Sequence, residues 1–206
     1  MTEKEKMDAG LWYDANFDPE LLAARMKAEE LCAAFNAAAP GNTETRSALL
    51  RALIPGLGKG VTILSPFYAD YGANCRIGDG SFLNHGVYLM DGAPITLGKN
   101  CFLGPNCGLY TANHPLDAAQ RAQGLERALP ITLGDDVWLG GNVVILQGVT
   151  IGSGSVIGAG SVVTHDIPPG VVAAGNPCRV LREITREDRQ RWERALAEYR
   201  GQMPRD

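Results

Sequence analysis

Histidine is scarce: three residues in 206, at positions 85, 114 and 165. The intervals between them are 29 and 51 residues, so no pair is close enough in sequence to form a local metal-binding unit. Cysteine is sparse and odd in number. The five residues Cys32, Cys75, Cys101, Cys107 and Cys178 form no CxxC pair and no Cys/His zinc spacing, which argues against a disulfide framework or a zinc module. Positive charge is not in excess. Nineteen Lys and Arg against 23 Asp and Glu leave a net charge of −4, with no global attraction to nucleic acid or anionic membrane. No apolar run approaches the roughly 20 residues of a membrane span. The opening MTEKEKMDAG lacks an apolar signal region, so a cytoplasmic location is expected.

Glycine is plentiful, with 25 residues, and with proline it clusters between residues 55 and 180 as turn chemistry. Ahead of that cluster, residues 1–60 read as a helical segment. Asp18-Pro19 is a helix start, an N-cap followed by Pro at the first helical position. Leu21, Ala24, Ala28, Leu31 and Phe35 follow at helical spacing as the expected buried stripe. A second helix is expected from about Thr43 to Ile54, stopped by Pro55-Gly56.

From residue 61 to 184 the periodicity changes. Ile77, Leu83 and Leu89, then Leu97, Leu103 and Leu109, then Leu133, Leu139, Ile145, Ile151, Ile157 and Val163 recur every six residues, mostly followed by a small residue. An α-helix, with 3.6 residues per turn, cannot keep that period on one face. A plain amphipathic strand shows period two and hairpin turns. Period six with Gly, Asn or Asp at corners fits a parallel β-helix of five or six coils, its aliphatics stacked inside. Cys101 and Cys107 fall at inward positions and read as small hydrophobes. Trp138 precedes the inward Leu139 and is expected to point outward. Two interruptions break the rhythm: a short one around Met90–Pro94, and a loop over residues 112–130. Insertions in a solenoid are accommodated as loops on its outside, and such loops often carry function.

The run resembles the hexapeptide-repeat acyltransferases, which implies a left-handed coil. His114 stands where the long loop leaves the coil, with Pro115 fixing the chain direction after it. Its near-neutral ordinary pKa suits a general base, worth roughly 10²–10⁴-fold in removing a hydroxyl proton. Asn84, at a repeat corner, offers an amide N–H to steady the oxyanion of acyl transfer. A zinc hydratase on the same scaffold needs three converging histidines, a pair of them close in sequence; no pair is close here, so no metal is expected.

A closer resemblance rests on EKEKMDAGLWYDANFDPEL, DYGANCRIGDGSFLN, LYTANHPLD, PITLGDDVWLGGNVVILQGVTIG and SVIGAGSVVTHDIPPGVVAAGNPCRVLREI. Over residues 3–184 the chain is similar to the maltose and galactoside O-acetyltransferase group. The resemblance implies His114 as base and Asn84 as oxyanion donor. It implies Asp14, Asp70, Phe82 and Asp91 on the acceptor side, Trp138 on the cleft wall, and Gly141, Ala159, Thr164, His165, Arg179 and Arg182 at coenzyme A. It further implies a homotrimer with sites between subunits. Gly141 replaces a usual Ser, His165 a usual Lys, and Glu126 lies where an apolar acceptor contact is usual. Residues 185–206 extend past the family's usual end. They are expected to form a helix, opened by a Thr185/Asp188 capping box, whose Trp192, Ala195, Leu196 and Tyr199 stripe packs on the body or on a neighbouring subunit. The seven arginines between residues 182 and 205 read as a solvated charged helix.

The expected function is acetyl-CoA-dependent acetylation of a maltose- or glucose-like sugar hydroxyl by direct transfer, with no acyl-cysteine. Two alternatives stand: a related acyltransferase for an amine, amino-acid hydroxyl or antibiotic hydroxyl, and a non-catalytic β-helix scaffold. A scaffold has no reason to hold His114, Asn84, Arg179 and Arg182 together.

Overall fold

A computed structural model describes residues 1–202. Helix α1 (Glu3–Asp8) opens on a Thr2/Glu5 capping box. Helix α2 (Pro19–Ala37) begins as expected, with Asp18 accepting from the Leu21 N–H. Its buried face is Leu21, Ala28, Cys32 and Phe35. Ala24, expected in that stripe, is exposed, and Cys32 takes part instead. At 3.6 residues per turn, Ala24 lies about 50° from the midpoint of Leu21 and Ala28, whereas Cys32 lies about 30° from it. Helix α3 (Thr43–Leu53) turns Leu50 and Leu53 inward.

The rest is a triangular parallel solenoid. Its first face stacks strands 56–57, 75–77, 95–97, 131–133 and 150–151. The second stacks 62–63, 82–83, 102–103, 138–139, 156–157 and 171–174, and the third 67–69, 87–90, 108–110, 144–146 and 162–163. The registers put like residues above like. Ile77, Leu97, Leu133 and Ile151 form one inward column, Leu83, Leu103, Leu139 and Ile157 a second, and Leu89, Leu109, Ile145 and Val163 a third. All twelve are buried, so every coil covers its neighbours' apolar surface. Phe35, Leu50, Leu53 and Ile54 belong to the same core and plug its first end. At the other end, strand 179–183 turns back antiparallel on 171–174.

The corners explain the sequence rhythm. Asn100, Asn106, Asp136 and Asn142 have positive φ, as do glycines 80, 86, 148, 154 and 160. Gly, Asn and Asp tolerate that conformation best. All five cysteines are free and buried. The long loop carries the one-turn helix α4 (Ala118–Arg121), and helix α5 (Arg186–Gln202) starts at the expected box, with the Thr185 N–H donating to Asp188 Oδ2 over 2.9 Å. Its Trp192, Leu196 and Tyr199 are exposed, so the stripe does not pack on the body of this chain.

Candidate active site

The long loop is built on a small antiparallel sheet. Strand 112–113 pairs with strand 125–128, and strand 125–128 pairs with strand 13–14 from the N-terminal segment. This pairing fixes His114. Its Nδ1 lies 3.0 Å from the Leu125 carbonyl oxygen. A carbonyl only accepts, so Nδ1 carries the proton and the neutral ring keeps its lone pair on Nε2. Nε2 faces Glu126 Oε2 at 3.9 Å. On the far side of that carboxylate, the Tyr13 hydroxyl donates to Glu126 Oε1. Tyr13 is fully buried. Burial and the adjacent carboxylate push its hydroxyl far above the usual tyrosine range, so it stays a donor. Tyr13 and Leu125 carry no site signal in the sequence, since their role arises from strand pairing across the loop.

Asp70 closes the strand 67–69 corner and accepts from the Tyr88 hydroxyl. Burial raises its pKa, and the tyrosine donor opposes that. It lines a cleft of about 540 Å³ with Arg25, Glu29, Tyr68 and Tyr88. Asp14 accepts from the Asn16 and Phe17 N–H groups and so closes a turn. Asp91 has no exposed surface; its two carboxylate oxygens accept from Tyr71 N and Asn74 N. It anchors the short insertion and presents no face to a ligand. Burial raises its pKa against those donors.

The expected residues divide between two edges of the prism. His114, Asp70, Asp91, Thr164 and His165 lie where the third face turns into the first. Asn84, Gly141 and Ala159 lie where the second turns into the third. One face of about six residues separates the edges, roughly 15–20 Å at ~3.3 Å per residue. His114 and Asn84 are therefore not brought together within one chain.

The Asn84 edge is a channel of small residues. A Cβ on Gly104 would meet Gly141 N at 2.6 Å, so the corners stack as closely as backbone allows. At Gly141 the nearest atoms to an added Cβ are those of Pro105 at 3.4 Å, so a side chain there would stand out into the channel. Trp138 points outward with 56% exposure, as its position beside Leu139 requires. It stacks in register with Phe102, which is followed by Phe82. Trp138, Val156, Val172, Arg182 and Trp192 line a groove of about 890 Å³ between this face and α5. Arg182 there makes a two-pronged pair with Asp188, at 2.6 and 2.9 Å. That pair holds the Asp188 carboxyl down at about 2. Arg179 donates to the Cys178 carbonyl. The Thr164 hydroxyl meets His165 Nδ1 at 2.9 Å. Among the described residues, no group of three or more His, Cys, Asp or Glu is placed to hold a metal ion, and no helix is long and apolar enough to cross a membrane.

Six-residue repeats, three to a coil, stacked as a triangular prism are the architecture of the hexapeptide-repeat class. Residues 130–165 match the model for "Bacterial transferase hexapeptide (six repeats)", and residues 6–58 match the maltose acetyltransferase hexapeptide capping motif. A "putative acetyltransferase" of Saccharomyces cerevisiae is 48% identical over 89% of this chain and 94% of its own. The crystal structure of a maltose O-acetyltransferase from Clostridium difficile 630 superposes with TM-score 0.88 at 45% identity, covering 90% of this chain and 98% of that one. A galactoside acetyltransferase in complex with coenzyme A gives 0.88 at 39%, over 92% and 94%. A hexapeptide-repeat acetyltransferase from Vibrio cholerae complexed with acetyl-CoA gives 0.83 at 42%, over 90% and 100%. The chain belongs to the maltose and galactoside acetyltransferase group of the left-handed β-helix acyltransferases, and it is an acetyltransferase.

Proposed function

We propose that the protein transfers acetyl from acetyl-CoA to a sugar hydroxyl, with a glucosyl acceptor of the maltose type. The observation that carries this reading is the ring of His114, pinned through Nδ1 with Nε2 free at the mouth of the loop. Nε2 takes the hydroxyl proton as the oxygen attacks the thioester carbonyl, and an Asn84 amide N–H donates to the oxyanion. The channel past Gly141 and Ala159 accommodates the pantetheine arm, with Trp138 as its wall. Thr164, His165, Arg179 and Arg182 meet the remainder, and guanidinium groups suit phosphates. Asp70, with Tyr68 and Tyr88, supplies a carboxylate and aromatic surface for a sugar, and Asp14 and Phe82 flank the acceptor.

The two-edge division supports a homotrimer in which the His114 edge of one chain faces the Asn84 edge of another. Two outer faces carry aromatic columns, Phe82–Phe102–Trp138 and Tyr68–Tyr88, while the first face presents Arg76, Thr96, Thr132 and Thr150. Apolar outer faces favour association and the polar face suits solvent.

The test is release of free CoA thiol from acetyl-CoA with a panel of sugars, comparing the native protein with His114→Ala. Loss of at least ~10²-fold in the variant is expected. Unchanged turnover removes His114 as base. Acetyl-CoA binding without turnover on any sugar points to amines or other alcohols.

A further inference from the structure

Glu126 is committed on two sides. Oε1 accepts from the buried Tyr13 hydroxyl, and Oε2 lies 3.9 Å from His114 Nε2. The glutamate side chain is 15% exposed against 45% for the histidine, so the carboxylate is the more enclosed member of the pair. A separation of 3.9 Å is too long for a hydrogen bond, which leaves the Nε2 lone pair free. It is short enough for the carboxylate to attract a positive charge that forms on the ring.

We propose that Glu126, held by Tyr13, is a positioning residue that acts through His114, stabilising the imidazolium formed as the acceptor hydroxyl loses its proton. The proposal rests on the reading of His114 as base. The hydroxyl proton moves to Nε2 and the oxygen bonds to the thioester carbonyl carbon. The tetrahedral intermediate then collapses as the C–S bond breaks, and the leaving sulfur takes the proton from the ring. Positive charge exists on His114 only between those two proton movements, so a carboxylate 3.9 Å away lowers that stretch of the path selectively.

Charged groups on the neighbouring elements make other contacts: Arg25 of α2, whose charge reaches Tyr13, donates to the Ala15 carbonyl. Arg127, next on the same strand, donates to the Gly10 carbonyl. Asp14, on the neighbouring strand, holds the Asn16 and Phe17 N–H groups. Within the loop, Asp117 caps the short helix at residues 118–121, and Arg121 donates to the carbonyls of Pro115 and Leu116. Among the described residues, Glu126 is the ring's ion-pair partner.

The decisive variant is Glu126→Gln, which keeps shape and an acceptor for Tyr13 but removes the charge. NMR titration of the His114 ring, assigned by its loss in His114→Ala, needs no turnover. With the carboxylate gone, the His114 titration and the acidic limb of kcat/KM against pH should both move to lower pH than in the native protein. The kcat should fall roughly ten-fold, with the acceptor KM little changed. Glu126→Asp should recover part of both effects. An unmoved His114 titration overturns the proposal, as does a rise in acceptor KM at constant kcat, which would return Glu126 to the acceptor side. A moved titration in a native protein that acetylates nothing keeps the pair but overturns its part in proton transfer, and separates that failure from failure of the functional reading.

Discussion

Asp70 is subject to two opposing influences, burial that disfavours its charge and a tyrosine hydroxyl that favours it, and burial prevails. Its folded pKa therefore lies above the unfolded value near 3.9. Between those two values the folded chain binds more protons than the unfolded one. Stability from this group is present below the lower value and is lost as pH rises through the window. Asp70→Asn should abolish that loss. Urea unfolding across pH 4–7 should show the native protein losing ground to the variant as pH rises. The prominence of particular side chains in the sequence varies with how local their partners are. His114 was legible because it stands where a six-residue rhythm stops. The Tyr13–Glu126 contact spans 113 residues, and only the pairing of strand 13–14 with strand 125–128 creates it. Asp91, expected at the acceptor, accepts from the Tyr71 and Asn74 N–H groups, because the corner of the preceding coil leaves those amides to be satisfied.

The stacked coil gives single inward residues a predictable weight. Leu139 is wholly buried, with Leu103 on one side and Ile157 on the other. Leu139→Ala should cost about 2–5 kcal/mol, read as a shift of the urea midpoint at unchanged slope. The columns were legible because each register position repeats one residue type. Helices were less so. Helix α2 was placed at its start by Asp18-Pro19, but small residues on it left the exact buried arc open, and Cys32 displaced Ala24. The stripe of α5 was also visible in sequence, but periodicity gives an apolar face without saying what covers it.

Across the whole molecule, the division of candidate residues between two edges has a quantitative signature. His114→Ala and Asn84→Ala should each be inactive alone. If each site takes His114 from one chain and Asn84 from the next, trimers reassembled from an equal mixture should recover about one quarter of native activity, the chance that both neighbours supply the needed residue. Recovery is read by thiol release after unfolding and refolding the mixture. A site confined to one chain recovers nothing. This division was not legible residue by residue, since spacing in sequence does not say which corner of a triangle a hexad reaches once insertions shift the count.

The two ends of the coil bear on a different property, its length. A parallel solenoid exposes unpaired backbone at both ends, and each end is a template on which another copy could add strands indefinitely. Here α2 and α3 seat Phe35, Leu50 and Leu53 over the first coil, while strand 179–183 reverses direction against the last. A reversed strand offers a parallel newcomer the wrong hydrogen-bond pattern. The repeat that would extend into a fibre is thereby interrupted, at one end by the side chains of α2 and α3 and at the other by the reversed strand on its second face.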